Sequence, residues 1–77
     1  MSTYNGHKNW AYWNVALWIG NDEGLYNLAR QLIRASKTKQ EAAEAFVVEM
    51  HHCGYAATPD GANYSISAVR AAMVGLG

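Results

Sequence analysis

Between residues 22 and 37 the side chains of Leu25, Leu28, Ala29, Leu32, Ile33 and Ser36 recur at steps of three and four, while Asn27, Arg30, Gln31, Arg34 and Lys37 fall opposite. That spacing is the period of an α-helix with one buried face, and it restricts the fold more than any other feature of the chain. The segment opens on a start signal. Asn21 or Asp22 can accept hydrogen bonds from the free N–H groups of a first turn, and Asp22-Glu23 suits the positive end of the helix dipole. Directly after it, Thr38-Lys39-Gln40-Glu41 matches a capping box, in which Thr38 bonds the amide of residue 41 and Glu41 reaches back to the amide of residue 38. A further helix follows, with Ala42, Ala43, Phe46, Val47, Met50 and Cys53 on one face, Glu41, Glu44 and His52 on the other, and Gly54 placed to end it. Two helices joined by so short a turn are expected to pack antiparallel.

Upstream, Asn9 can cap a helix running from Trp10 to Ile19, with Gly20 where a left-handed residue would stop it. Apolar groups surround this helix: Trp10, Trp13 and Leu17 share one side, Val15, Trp18 and Ile19 the other, and Asn14 is its only strongly polar position. Such a helix is either central or carries an exposed contact face. The expected centre is Trp13 and Leu17 with Trp10 or Trp18, packed against the next two helices. Residues 54 to 64 hold Pro59-Asp60-Gly61 among other turn formers and read as loop. Ser65 or Ser67 then caps a last short helix through Val74, with a weak stripe of Ile66, Val69, Ala72 and Met73. A strand over Tyr64 to Ser67 has no evident partner. The expected fold is an all-α, compact bundle of three to four short helices with a loop near residues 54–64, forming a single domain over residues 1–77.

A chain of 77 residues buries only about 60% of the surface it exposes unfolded, and the usual per-residue range puts its stability at about 4 to 12 kcal/mol. Six basic against six acidic side chains leave no net charge, which argues against general polyanion binding and against acidic mimicry of DNA. Cys53 is the lone cysteine, so no internal disulfide staples the core, and a reducing compartment, the cytoplasm, is expected. The polar opening Met1 to Lys8 lacks the apolar run of a signal peptide, and no segment is long enough to span a membrane.

No catalytic constellation stands out. His51, His52 and Cys53 point about 100° apart on a helix and cannot converge on one ion, and only His7 and scattered carboxylates remain, so no metal is expected. Neither histidine is placed to activate the thiol, the acids read as caps or solvated faces, and no glycine loop suits a phosphate. The chain is therefore read as a non-enzyme without cofactor. Arg30, Arg34 and Lys37 form the one concentrated basic patch, too small for tight nucleic-acid binding. Tyr4, Trp10, Tyr12, Trp13, Trp18 and Tyr26 crowd the first third of the chain. A core this small cannot hide them all, and exposed Trp, Tyr and Arg are the anchors of protein interfaces. The candidate partner-binding residues are thus Tyr4, Trp10, Tyr12, Arg30, Arg34 and Lys37.

Tyr4-Asn5-Gly6 and the run Asn9 to Tyr26 resemble a set of small proteins of bacteriophages and mobile elements that share N-Y-E-T-W-N-V-x-L-W followed by N-[DE]-E-G. The likeness is close over Trp13 to Trp18 and Asn21 to Tyr26, and Thr58-Pro59-Asp60-Gly61 resembles a later segment of the same set. Trp10-Ala11-Tyr12 replaces the usual Tyr-Glu-Thr, losing a carboxylate and adding ring surface. The resemblance implies a phage accessory protein in the host cytoplasm, with an anti-CRISPR inhibitor binding a host CRISPR–Cas effector as the most economical form. The rival classes are a small nucleic-acid-binding or regulatory helical module and a structural protein that dimerises through its first helix.

Overall fold

A computed structural model describes residues 9–76, and within them the chain forms four α-helices: α1 (Trp10–Asn21), α2 (Glu23–Ala35), α3 (Lys39–His52) and α4 (Ile66–Leu76). Each begins where a short polar side chain takes up a free amide. Asn9 accepts from the Tyr12 N–H at 3.0 Å, Asp22 from Leu25 at 3.0 Å, Thr38 from Glu41 at 3.1 Å and Ser65 from Ala68 at 3.2 Å. Each such cap is worth about 1 kcal/mol. The capping box at Thr38 closes differently from expectation, because the Glu41 carboxylate receives the amide of Lys37, not of residue 38.

The joint between α1 and α2 is a single residue. Asp22 ends α1 by donating its N–H to the Trp18 carbonyl at 2.9 Å and starts α2 with its carboxylate. Gly20 therefore lies inside α1, and left-handed backbone occurs instead at Gly54 and Gly61. At Gly54 (φ 87°) the Gly54 N–H bonds the His51 carbonyl and the Tyr55 N–H bonds the Met50 carbonyl, a Schellman closure of α3.

α1 and α3 each pack on α2 and α4, while their own backbones do not approach each other. The shared core holds Val15 and Ile19 from α1, Ala29 from α2, Ala42, Ala43, Phe46 and Met50 from α3, and Val69 and Met73 from α4, with the Tyr64 ring tilted against Phe46 at 5.9 Å. The small residues at 29, 42, 43, 68 and 72 let the helices close up, which leaves little interior room for indoles. That overturns the expected centre. Leu17 and Trp10 remain 37% and 39% exposed, Trp13 and Trp18 are half-buried, and α1 turns Val15 and Ile19 inward. Cys53, expected in the core, caps α3 on the surface beside Glu49.

Candidate functional site

The loop after α3 folds back as a minimal hairpin. Ala57 and Asn63 form an isolated antiparallel bridge, and the Tyr64 N–H reaches the Ala56 carbonyl at 3.0 Å. Its tip is Thr58-Pro59-Asp60-Gly61, closed by the Gly61 N–H on the Thr58 carbonyl at 2.8 Å, with Gly61 at φ 98°. Proline presets the turn and glycine supplies the left-handed residue that follows it. The expected loop is thus present, with one bridge and no strand among the described residues.

This tip is fastened to α1 by four polar side chains. Asn14, buried despite its amide, donates to the Asp60 carboxylate at 2.9 Å and accepts from the Thr58 hydroxyl. The Trp18 indole N–H donates to the same Asp60 oxygen at 2.9 Å, and the Thr58 hydroxyl accepts the Ala62 amide at 3.0 Å. Asn14 and Thr58 are the two buried polar residues among the described residues, and the bond between them, with those to Asp60 and the Ala62 amide, leaves neither side chain without a partner. The donors from Asn14 and then Trp18 hold the Asp60 carboxyl below its ordinary value. The segments around Trp13–Trp18 and Thr58–Gly61, noted separately in the sequence, are therefore two halves of one clamp.

Two surfaces flank the clamp. On α1, Trp10, Trp13 and Leu17 sit at positions i, i+3 and i+7 and share the outward side. Between the end of α1, the start of α2, the end of α3 and the hairpin lies an open groove of about 520 Å³. Trp18, Leu25, Leu28 and Met50 supply its apolar floor, and Tyr55, Ala57, Pro59 and Tyr64 its hairpin wall. Asp22, Glu49 and Cys53 complete the lining. Burial, and then the negative charge of Asp22, push the Tyr64 phenol above its usual value.

The candidate residues do not gather on one surface. Trp10 stands in the outward row, Tyr12 is half-buried against the core, and Tyr4 lies outside the described residues. Arg30 and Arg34 line a shallow depression on α2 with Tyr26, Asn27 and Gln31. There the Arg30 guanidinium lies 5.7 Å from the Tyr26 ring centroid and donates to its hydroxyl at 3.0 Å. Lys37, expected on the same helical stripe, falls beyond the end of α2 at Ala35 and is exposed in the joint to α3. His51 and His52 are exposed at the end of α3, and His7 lies outside the described residues. Among the described residues no three of His, Cys, Asp and Glu cluster, and no helix is long and apolar enough to cross a membrane. Asp60 and Asn14 escaped the sequence reading as site residues. The available signal was a lone polar residue on an otherwise apolar helix and an acid in a Pro-Asp-Gly turn.

Comparison with curated proteins and with solved structures gave no significant match. The profile of a family of unknown function, DUF7249, matches residues 1–75, and the chain belongs to that family.

Proposed function

We propose that this protein acts without turnover, by occupying a surface on another protein, with the outward side of α1 as its docking face. The observation that carries the reading is the row Trp10, Trp13 and Leu17, with its two outer members more than a third exposed on a helix whose inward side is filled by Val15 and Ile19. Large apolar groups at i, i+3 and i+7 are the anchors by which a helix enters an apolar groove on a partner. Scattered exposed apolar residues are ordinary, but three on one helical side including two indoles make an interface anchor.

The narrower form of the proposal takes the partner to be a host defence complex, a CRISPR–Cas effector, met in the host cytoplasm. The likeness of Trp13–Trp18, Asn21–Tyr26 and Thr58–Gly61 to small phage and mobile-element proteins supports it, by analogy. Its test is co-elution of the purified protein with the effectors of its host, together with a plaque assay. A stable complex and protected phage are expected. Co-elution with no defence complex and unprotected phage would contradict it.

A second reading, a small nucleic-acid module, draws on Arg30 and Arg34 sharing one depression with Tyr26. Binding to random duplex DNA that is measurable at low salt and falls steeply as salt rises would favour it. No binding at low salt leaves the protein-docking reading.

A further inference from the structure

The groove beside the hairpin shares no lining residue with the outward row of α1 and calls for its own account. Its volume, about 520 Å³, lies within the range of ligand sites, yet Asp22, Glu49, Cys53, Tyr55 and Pro59 on its walls are all exposed. A small ligand in so open a trough would keep much of its surface in water, whereas sites for small molecules bury most of theirs. A chain segment that continues past both ends loses nothing in this way.

Charge narrows the occupant. The chain as a whole is neutral, with six basic and six acidic side chains, but among the described residues the groove is lined by two carboxylates and by no Lys, Arg or His. Asp22 spends one oxygen on the α2 cap, and among the described residues the Glu49 carboxylate receives the weak Cys53 thiol at 3.8 Å. Burial, and after it the negative charge of Asp22, raise the Tyr64 phenol, so the Asp22 carboxylate acts within the groove as well as at the cap. Trp18, Tyr55 and Tyr64 add aromatic faces, which attract cations as well as apolar groups.

We propose that this groove is a docking site for a partner-protein segment that presents a lysine or arginine beside a large apolar side chain. The apolar side chain lies on Leu25, Leu28 and Met50, and the cation sits at the rim between Asp22 and Glu49. This assignment does not depend on the α1 row.

The test is selection of a displayed random-peptide library on the immobilised full chain, followed by affinity measurement on the winners. Enriched peptides are expected to carry Lys or Arg within two positions of a large apolar residue. Glu49→Lys and Tyr55→Ser, both at exposed positions, are expected to weaken them at least tenfold with unchanged melting temperature, and Val74→Ser, exposed on α4 away from the groove, to leave them unchanged. A lysine near the end of α3 suits the helix dipole, so the Glu49 variant keeps its fold. Failure to enrich, enrichment of neutral or acidic peptides, or affinities indifferent to Glu49→Lys would each overturn the assignment. Self-association in sedimentation that Glu49→Lys abolishes would replace the foreign segment by a second copy of this chain.

Discussion

Asn14 and Asp60 stand 46 residues apart in the chain and are joined by a hydrogen bond of 2.9 Å that fixes the hairpin tip to the first helix. Asn14 also takes the Thr58 hydroxyl, so a single amide side chain holds the turn at its first and third residues. Asn14→Ala removes both bonds and leaves the buried Thr58 O–H without its acceptor, at a cost of about 2 to 3 kcal/mol. In a domain of this size that is a fall in melting temperature of roughly 8 to 24 °C. Calorimetry of the variant checks it, and a drop within a degree or two would mean that the clamp is ornamental.

Acid should release the same clamp. The Asp60 carboxyl is held below its ordinary value of 3.8 chiefly by the Asn14 amide and then by the Trp18 indole, against a small opposing effect of desolvation. A carboxyl depressed in the folded state stabilises fully above its unfolded value, and that contribution is lost as pH falls through the lower folded value. Docking of the tip is expected to hold above about pH 4 and to loosen below it, which Trp18 emission reports once Trp10 and Trp13 are replaced by Phe. Asp60→Asn should flatten that acid limb. An acid limb identical in both proteins would remove Asp60 from the account.

The glycines separate into opposite classes. Gly54 and Gly61 occupy left-handed backbone at φ 87° and 98°, so alanine at either is expected to cost about 1 kcal/mol or more. Gly20 has helical neighbours and open space around its missing Cβ, so Gly20→Ala should stabilise by about 0.5 to 1 kcal/mol. Urea titrations of the three variants decide the point, and a destabilising Gly20→Ala would show that α1 needs its glycine for something other than folding.

Much of the fold was legible because its signals are local. Asn9, Asp22, Thr38 and Ser65 cap the helices that follow them, and Gly54 ends α3, since a cap depends on a few adjacent residues. The face of α1 was not legible. A helix apolar on every side carries no phase, and only the close approach permitted by Ala29, Ala42, Ala43, Ala68 and Ala72 sends Val15 and Ile19 inward and Trp10 and Leu17 outward. Gly20 misled for a related reason: with Asp22 able to end one helix and begin the next, no left-handed stop was needed. The clamp was hidden because its partners lie 42 to 46 residues apart, beyond any periodic pattern. Of the candidate site, Trp10 was open to either side in the sequence and lies 39% exposed, whereas Lys37 was misplaced by counting the helical stripe past the end of α2.

Variants of the outward row should separate binding from stability. Trp10 and Leu17 contribute little to the closed core, so Trp10→Ser with Leu17→Ser is expected to shift stability by at most about 1 kcal/mol, in line with partly exposed positions. Chemical denaturation measures it. A loss of several kcal/mol would return these side chains to the role of core and leave the docking face without support.

The most direct measurement compares that double variant with the unaltered protein in affinity capture from host extract, at matched folded concentration. The unaltered protein is expected to retain a partner in stoichiometric amount and the variant to lose it while melting at nearly the same temperature. Retention of the same partner in the same amount by both proteins would contradict the claim that α1 docks through Trp10 and Leu17.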